Sequence, residues 1–334
     1  MKSLRNKNIL ITGATGFIGS NLIRFLVNDG CNNVTCLVLP DDNIDFIKKF
    51  DVNIEYGNII EKDSLYKALD GQDVIIHLAA IVGSLDEKLN HLVNYVGTKN
   101  LIEVIEDLSL KIDRFIFAST IAASGPSEKG KLKTENDREN PISIYGKTKL
   151  LSEEYLLKKS DSIPITIFRL PLVYGPGSFG GLFFLFKIIS RNIFPVLPYN
   201  ETNICYVDDL SNGIVSAIIN DRTIGEVFYV GENRVYNSKL ILSYIKDIMN
   251  KFTFKIPFPP LLLYGIANFS EFLSKLMNNS PILSKKNLEE YLKHRFWGVS
   301  TEKAIEYFDY KTNYPIEKGL ALTFNWYKKN KLIK

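Results

Sequence analysis

The chain has 334 residues, enough for a large core, and its 46% hydrophobic and 23% charged residues are ordinary for a globular protein. A net charge of +4 does not call for a nucleic-acid partner, and three cysteines are too few for a disulfide framework. No Cys/His cluster in the sequence has the spacing of a metal site, so no metal is predicted.

The beginning of the sequence carries no sign of a targeting segment. "MKSLRNKNILITG" lacks a long apolar region and a small-residue cleavage site. The most apolar stretches, "GLFFLFKII" and "PPLLLYGIANF", are too short to span a bilayer. We therefore expect a cytoplasmic protein without a transmembrane segment.

The first half of the chain alternates between short apolar runs and amphipathic stretches. The runs are rich in Val, Ile and Phe, as in strands that are buried on both faces. In chain order the predicted strands are "NILITG", "VTCLVL", "VNIEYG", "DVIIHLAA", "RFIFAST" and "ITIFRL". Because helical stretches separate them, this order predicts an α/β fold with a doubly wound, Rossmann-type parallel sheet.

The pattern loosens after about Pro171. "GEVFYVG" is typical of a strand and "NSKLILSYIKDIMN" of a helix, while "FGGLFFLF" suits either a lid over substrate or a buried helix. We expect strands near 204–232 to rejoin the sheet. Residues 171–203 and 233–334 are predicted to form mainly a smaller, mostly helical substrate lobe, interleaved with the first domain.

Three glycines follow the first predicted strand in "ILITGATGFIGSNL". Gly13 permits a tight turn, Gly16 lets the backbone approach a pyrophosphate, and Gly19 lets the following helix pack closely on the sheet. The helix N-terminus then offers N–H groups to the phosphates. Between the first strand and the first helix, this pattern predicts that residues 1–170 form a dinucleotide-binding domain.

The choice between NAD and NADP depends on the end of the second strand. A carboxylate there holds the ribose hydroxyls of NAD, whereas an arginine suits the 2′-phosphate of NADP. "VTCLVLPDDN" places Asp41 and Asp42 just beyond Pro40 and has no arginine. This favours NAD slightly, although the two aspartates equally suit a turn or a helix cap.

The pattern Y-x-x-x-K is common in this chain. It occurs six times, beginning at Tyr95, Tyr145, Tyr155, Tyr307, Tyr314 and Tyr327. In a helix, residues four apart lie on one face, so a lysine can lower the pKa of the tyrosine and make it a general acid/base. Spacing alone does not select among the six.

The order of "TGATGFIG", "STIAASG" and "YGKTK" along the chain resembles the extended short-chain dehydrogenase/reductases. That group contains NAD-dependent nucleotide-sugar epimerases and dehydratases, and relatives of 3β-hydroxysteroid dehydrogenase and dihydroflavonol reductase. Further similar segments are "GNIIEKDSL", "DVIIHLAA", "NYVGTKNLIE", "FRLPLVYGPG" and "YVDDL", so that the resemblance covers nearly the whole chain. One departure is Asn58, where the family usually has aspartate.

The resemblance selects Tyr145, because the family's active tyrosine begins the helix after the Ser/Thr strand. It implies catalytic roles for Tyr145, Lys149 and Thr120, and a role for Asn94 in ordering the active-site helix. The implied cofactor contacts are Gly13, Gly16, Phe17, Ile18, Gly19, Asn58, Ile59, Leu78, Ala79, Ala80, Asn94, Tyr145, Lys149 and Pro171. It also implies a homodimer, formed by the helices of "VGTKNLIEVI" and "YGKTKLLSEEYL".

The reaction expected from the resemblance is hydride transfer at a secondary alcohol or ketone of a small molecule, with a nucleotide sugar among the candidate substrates. Ile121 and Ala122 follow Thr120 where 4,6-dehydratases carry Asp-Glu, which argues against that branch. Ala123, Ser124 and Gly125 stand where epimerases often have V-Y-G. A hydroxysteroid- or dihydroflavonol-type enzyme and a non-catalytic dinucleotide sensor therefore stay open as alternatives.

Four further polar residues carry simpler interpretations. His77 lies in an apolar strand and is expected to be packed rather than a ligand. Arg169, at a strand end, is expected to pair with an acid. Lys187 and Arg191 are candidates for contact with a substrate pyrophosphate.

Overall fold

The computed structural model describes residues 4–276 and 284–333. Its strands are β1 (Ile9–Thr12), β2 (Val34–Val38), β3 (Asn53–Tyr56), β4 (Val74–His77), β5 (Arg114–Thr120), β6 (Ile165–Leu170), β7 (Leu172–Tyr174), β8 (Ile193–Val196), β9 (Glu201–Thr202), β10 (Ile204–Tyr206), β11 (Glu226–Tyr229), β12 (Tyr236–Asn237), β13 (Phe254–Pro257) and β14 (Phe296–Trp297).

The α-helices are α1 (Phe17–Asn28), α2 (Tyr66–Leu69), α3 (Glu87–Asn90), α4 (Gly97–Asp107), α5 (Ile121–Ser124), α6 (Ile144–Leu157), α7 (Gly181–Ser190), α8 (Val207–Ile218), α9 (Ser238–Ile248), α10 (Pro260–Leu276), α11 (Lys285–Lys293), α12 (Glu302–Phe308) and α13 (Ile316–Lys329). A π-helical turn, His91–Val96, joins α3 to α4, and short 3₁₀ turns lie at Ile47–Lys49, Lys62–Leu65 and Asp221–Thr223.

Seven parallel strands form the central sheet, in the order β11-β6-β5-β4-β1-β2-β3. All six apolar runs of the first half are strands of this sheet, and "GEVFYVG" supplies the seventh. The chain leaves β1 towards β2 and β3 and then returns to the other side of β1 as β4. The doubly wound α/β sheet is therefore confirmed, with its switch point between β1 and β4.

Each face of the sheet is covered by helices, which gives two cores. One core joins alternate residues of the central strands to α1, α8 and α12. The other core joins the remaining strand residues to α2, α4 and α6. Since every strand from β1 to β6 except β3 is buried throughout or nearly so, the short apolar runs are explained by burial on both sides.

The later part of the chain forms a smaller, mostly helical lobe. Its core consists of apolar residues of α7, α9 and α13. "FGGLFFLF" forms the start of α7 with Phe183 and Phe186 buried, which favours the buried helix over the lid. β10 pairs with β7 outside the central sheet, and α12 packs back on the first core through Ala304 and Phe308.

A buried ion pair attaches α6 to the sheet. Arg169 in β6 donates to both carboxylate oxygens of Glu153 in α6, at 2.7 Å in the shortest contact, and to Glu139 at 2.8 Å. Glu153 also accepts a hydrogen bond from Ser119. The side chains of Arg169 and Glu153 are 2% and 1% exposed, so each charge is stable in the core only because the other neutralises it.

Cys31, Cys36 and Cys205 are buried free thiols, as expected from their number. Within residues 4–276 and 284–333, no helix is long and apolar enough to cross a lipid bilayer.

Candidate active site

The glycine loop lies at the carboxyl end of β1, at the switch point of the sheet. Gly13 has a positive φ of 69°, and a Cβ atom there would lie 2.7 Å from the backbone nitrogen of Ala79. A Cβ atom at Gly19 would lie 2.3 Å from the carbonyl oxygen of Gly13. Two of the three glycines are therefore required by packing, because any side chain would push the loop away from β4 and α1.

The first turn of α1 is open to a ligand. Gly16 is its N-cap residue, and among the described residues no side chain caps the turn. The N–H groups of Phe17, Ile18 and Gly19 consequently have no acceptor within the helix. An anion beside this turn would be bound by these N–H groups and by the positive end of the helix dipole.

A cavity of about 390 Å³ lies directly beside this loop. Seven predicted cofactor residues line it: Gly13, Gly16, Asn58, Ile59, Leu78, Ala79 and Ala80. Thr12, Thr15, Leu37, Leu39, Asp42, Gly57, Ile60 and Val93 complete its wall. The cavity is thus bounded by the ends of β1, β2, β3 and β4, and its residues suit an elongated dinucleotide with phosphates at the glycines.

Asp42 occupies a defined place in this wall. Its carboxylate accepts a hydrogen bond from Thr15 Oγ1 at 2.9 Å and from the backbone N–H of Leu39 at 3.2 Å. Because Thr15 belongs to the glycine loop, Asp42 connects the end of β2 to the phosphate side of the cavity. Asp41 is exposed and does not line the cavity, so the two neighbouring aspartates differ in position.

His77 is part of a buried hydrogen-bond chain below the cavity. Its Nδ1 is 2.7 Å from Thr12 Oγ1 and its Nε2 is 3.0 Å from Thr98 Oγ1. Burial and the charge of Lys149 keep the pKa of His77 well below its ordinary value, so the ring is neutral. Because the Thr98 hydroxyl donates to the carbonyl of Asn94, it accepts from Nε2–H, and His77 therefore has a structural role.

Asn94 joins the π-helical turn to α6. Its side-chain oxygen accepts from the N–H of Ile81 at 2.9 Å, and its amide nitrogen lies 3.3 Å from Thr148 Oγ1. Its backbone carbonyl accepts from Ser152 Oγ at 2.8 Å, which also belongs to α6. The loop after β4 and the helix of Tyr145 are therefore held together through Asn94.

Tyr145 is the second residue of α6, two positions after the N-cap residue Ser143, whose hydroxyl accepts from the N–H of Gly146 at 3.0 Å. A Cβ atom at Gly146 would lie 2.2 Å from the carbonyl oxygen of Ala122. This close contact brings the start of α6 against the segment that follows Thr120. Glycine at the second position of "YGKTK" is therefore required for the placement of Tyr145.

Lys149 follows one turn later and points into the protein. Its side chain is 1% exposed, and its Nζ lies 3.8 Å from the centre of the Phe117 ring, over the face of an aromatic residue of β5. Burial lowers the pKa of Lys149 to about 7, against the opposing effect of Glu153. The ammonium is thus close to its titration point at neutral pH.

The expectation that Lys149 lowers the pKa of Tyr145 is not met in the protein alone. Burial raises the pKa of Tyr145 to about 12. The phenol is therefore protonated at neutral pH, in the form that donates a proton. Desolvation is the cause of this rise, and helix spacing does not reveal it.

Thr120 and Ser119, adjacent at the end of β5, have different partners. Thr120 Oγ1 caps the short helix α5 by accepting from the N–H of Ala122 at 3.1 Å, and the residue is half-buried. Ser119 is buried and donates to Glu153. Thr120 is thus the less buried of the two, and it does not line either the glycine-loop cavity or the cavity that Tyr145 borders, described next.

A second cavity, of about 210 Å³, has Tyr145 in its wall. Its other lining residues are Val82, Gly83, Ser84, Leu85, Ser143, Ile144, Lys286 and Glu290. The loop after β4 borders both cavities, the first through Ala80 and the second through Val82. A molecule in the second cavity would therefore lie beside Tyr145 and next to the predicted cofactor site.

The structure brings some predicted residues together and places others around them. Phe17, Ile18 and Gly19 have backbone N–H groups at the start of α1. Asn94 and Lys149 are buried behind the two cavities, in contact with α6 and with Phe117 of β5 respectively. Pro171 is buried after β6, against Gly231, and is not among the residues that line either cavity. Lys187 and Arg191 are exposed on and after α7 and do not line the two cavities either.

Sequence reasoning missed the two charged residues of the second cavity. Lys286 and Glu290 lie four residues apart on α11, so that both reach one face of the helix. The segment "KKNLEE" contains this spacing, but it does not indicate a site by itself. Only the structure shows that Lys286 and Glu290 line the same cavity as Tyr145. No group of three or more His, Cys, Asp or Glu residues that suits a metal is found in the described part of the chain.

Comparison with known proteins decides the family. Residues 9–231 match the model of the NAD-dependent epimerase/dehydratase family. The chain belongs to this family. The protein is accordingly an NAD-dependent enzyme, and its glycine-loop cavity has the residues and the open helix turn that this cofactor needs.

Members of the family resemble the chain over most of its length. The UDP-glucose 4-epimerase of Vibrio cholerae is 30% identical over 269 residues, which are 76% of this chain and 79% of that protein. The N-acetyl-α-D-glucosaminyl-diphospho-ditrans,octacis-undecaprenol 4-epimerase of Escherichia coli O157:H7 is 24% identical, over 86% of each chain. The UDP-glucuronic acid 4-epimerase of Bacillus cereus, solved with UDP-glucuronic acid and NAD, is 25% identical with a TM-score of 0.77, covering 96% of this chain and 99% of that one.

The Lys149→Met substitution tests whether the buried ammonium of Lys149 lowers the free energy of unfolding. We expect the free energy of unfolding at about pH 6 to rise by about 1–3 kcal/mol, because methionine occupies a similar volume without a charge. The pKa of Lys149 is about 7 in the folded chain against an ordinary value of 10.5. Between these two pKa values the unfolded chain binds more protons than the folded chain, so the free energy of unfolding of the wild type rises with pH. The stability difference between Lys149→Met and the wild type should therefore shrink as the pH rises through this range.

Urea denaturation at a series of pH values measures this difference. Lys147→Met is the matched control, since Lys147 is exposed on the same helix and should change stability by less than about 0.5 kcal/mol. A destabilising Lys149→Met substitution with no dependence on pH would show that the ammonium is well solvated instead.

Proposed function

We propose that the protein is an epimerase that inverts a secondary-alcohol carbon of a sugar carried as a diphosphate ester. The observation that carries this proposal is the position of Tyr145, which borders a small cavity next to the glycine-loop cavity. As an acid/base, Tyr145 would thus lie beside the place where the hydride transfer is proposed to occur. The three relatives described above are named for epimerisation of sugars bearing a diphosphate, which supports the same substrate class.

Tyr145 would move the proton in each half of the reaction. Bound NAD supplies the hydride chemistry, and the protein supplies orientation and the proton route. For this step Tyr145 must first release its phenol proton to solvent, and the resulting phenolate oxygen would accept the proton of the sugar hydroxyl as the alcohol is oxidised. It would then return the proton to the same oxygen after the sugar has turned and presented its other face.

Two neighbours would assist this transfer. The ammonium of Lys149 favours the phenolate form of Tyr145 by charge, although in the protein alone burial outweighs it. The hydroxyl of Thr120 lies at the end of β5, beside the start of α6, where it would hydrogen-bond the reacting oxygen. Thr120 would therefore orient the substrate, while Tyr145 exchanges the proton.

We propose that Asp42 binds the hydroxyls of the adenosine ribose of NAD. It lines the cavity at the end of β2, the place where α/β proteins of this kind carry a ribose-binding carboxylate. Its bonds to Thr15 Oγ1 and the N–H of Leu39 hold the carboxylate in place. A 2′-phosphate would bring a second negative charge beside it, which explains a preference for NAD over NADP.

Lys286 and Glu290 are the proposed substrate contacts of the smaller cavity. A lysine is suited to a phosphate or carboxylate, and a glutamate to sugar hydroxyls. Both side chains lie on α11 of the helical lobe, so this lobe would determine substrate choice while the sheet provides the chemistry. The nucleotide or lipid that carries the diphosphate would extend beyond this cavity.

We also propose that the enzyme is a homodimer formed through α4 and α6. Tyr95, in the π-helical turn that leads into α4, packs edge to face on Tyr155 of α6 at 6.1 Å. Leu92 and Leu151 are more than one-third exposed on this side, as expected of residues that a second copy would cover. Light scattering after size-exclusion chromatography should give twice the mass of the chain, and a single-chain mass would contradict the dimer.

Tyr145→Phe is expected to lower turnover by about 10²–10⁴-fold, because phenylalanine keeps the ring and removes the proton-transfer group. The assay uses UDP-glucose, UDP-N-acetylglucosamine and UDP-glucuronic acid with NAD, and follows the epimeric product by NMR. Product should form without net change in NADH absorbance, whereas stable accumulation of NADH would identify a dehydrogenase instead.

Tyr155→Phe is the matched control for this substitution. It removes a hydroxyl from the same helix at a residue that packs on Tyr95. We expect near-normal turnover for this variant and unchanged NAD affinity for both. Full activity of Tyr145→Phe would reject Tyr145 as the acid/base.

Asp42→Asn is expected to weaken NAD binding by about tenfold, the effect of losing one charge-assisted hydrogen bond. NADP binding should weaken less or improve, because the repulsion of the 2′-phosphate is removed. Calorimetric titration with both cofactors measures the ratio of affinities. Asp41→Asn, which alters an exposed neighbour, should leave both affinities unchanged; equal losses for NAD and NADP in Asp42→Asn would argue against ribose recognition.

A further inference from the structure

An exposed apolar surface lies in the helical lobe, outside the site described above. It comprises exposed side chains of two segments that follow one another in the chain, one before and within β13 and one in α10, and we call these side chains together the apolar platform. Its most exposed members are Leu261 (84%), Phe252 (77%), Phe254 (66%), Phe269 (62%) and Phe272 (60%). Single exposed apolar side chains are normal on proteins, but five such large ones within 21 residues require a partner.

The helix α10 is apolar on both faces. Leu263 and Ala267 are buried against Leu288 of α11, which accounts for one face. Leu262, Ile266 and Leu273 lie on the opposite side, with Leu261, Phe269 and Phe272, and are all exposed. A helix with an apolar side beyond the one it buries normally has that second side covered by protein or lipid, and the described residues leave these side chains of α10 exposed.

The charge around the platform is strongly positive. From 256 to 270 the chain has no charged residue, and Lys251 and Lys255 stand at its start. Residues 239–295 contain eight lysines and one arginine against four acidic residues, a net charge of +5, whereas the whole chain carries only +4. The entire positive excess of the protein is therefore concentrated in the segment that carries the apolar platform.

We propose that the apolar platform docks on the surface of an anionic lipid bilayer. Exposed aromatic and leucine side chains would enter the boundary between headgroups and acyl chains, and the surrounding lysines would bind anionic headgroups. This combination of an apolar face with a basic surround is the pattern of helices that lie in the interfacial plane. Among the described residues no helix suits a spanning segment, which agrees with docking on the surface.

A second copy of the chain fits the platform less well. In a two-fold dimer the same patch faces itself, so the two basic segments would be brought together. Like charges across such a contact repel, and no acidic group of comparable number lies in the segment to neutralise them. A bilayer with anionic lipid offers both the apolar interior and the opposite charge.

The helix α11 lies between the apolar platform and the smaller cavity. α11 contacts α10 through Leu288 and lines the cavity of Tyr145 through Lys286 and Glu290. Docking would therefore hold the substrate side of the protein near the bilayer. The docking itself does not depend on the proposed epimerase activity, and it is tested without substrate.

Flotation of the full-length protein with vesicles tests this proposal. Vesicles of phosphatidylcholine alone are compared with vesicles that also contain phosphatidylglycerol. We expect binding to the anionic vesicles and weakening by about tenfold or more in Leu261→Ser/Phe269→Ser, because two large apolar contacts are lost. Lys251→Glu/Lys255→Glu should lose the preference for anionic vesicles, as should high salt.

Phe46→Ser/Leu322→Ser is the matched control, since it removes two exposed apolar side chains from other parts of the surface. It should float with anionic vesicles like the wild type, and circular dichroism should give the same spectrum and melting temperature for all variants. The proposal is overturned if the wild type stays unbound with both kinds of vesicle. It is also overturned if Leu261→Ser/Phe269→Ser only converts a dimer into monomers, which would assign the platform to a second copy.

Discussion

The ion pair between Glu153 and Arg169 is the interaction on which the arrangement of this protein most depends. Tyr145, Lys149 and Glu153 are spaced by four residues, so that they follow one another along one side of α6. Glu153 at the inner end is attached to β6 through Arg169, and Ser119 of β5 donates to the same carboxylate. Two adjacent strands thus fix the helix whose outer end carries Tyr145.

Burial along this helix also sets the chemistry. Burial raises the pKa of Glu153, and the ion pair with Arg169 opposes that rise. Lys149, one turn away, lies over the ring of Phe117. The pKa of Lys149 falls to about 7, and that of Tyr145 rises to about 12. The ion-paired Glu153 therefore lies on the same side of α6 as Lys149 and Tyr145, at the end of the helix that is attached to the sheet.

Much of this could be predicted from the sequence because it depends on local pattern. The strands are recognisable as short apolar runs because they are buried on both faces. Gly13 and Gly19 are recognisable because only glycine allows the close backbone approach at these positions. The positions of Asp42, Lys286 and Glu290 in the two cavities could not be predicted. They depend on a contact across 27 residues, between Asp42 and Thr15, and on the packing of α11 near Tyr145. Likewise, the sign of the pKa shift at Tyr145 depends on burial, which helix spacing does not reveal.

The central claim is that the sugar carbon is inverted by removal and return of a hydride within one active site. It is tested most directly with a sugar nucleotide that carries deuterium on the reacting carbon, turned over in ordinary water. The account predicts that the epimeric product keeps the deuterium on that carbon, because the hydride never exchanges with solvent. Loss of the deuterium to water would contradict it, since this would mean that the carbon is inverted by proton removal instead.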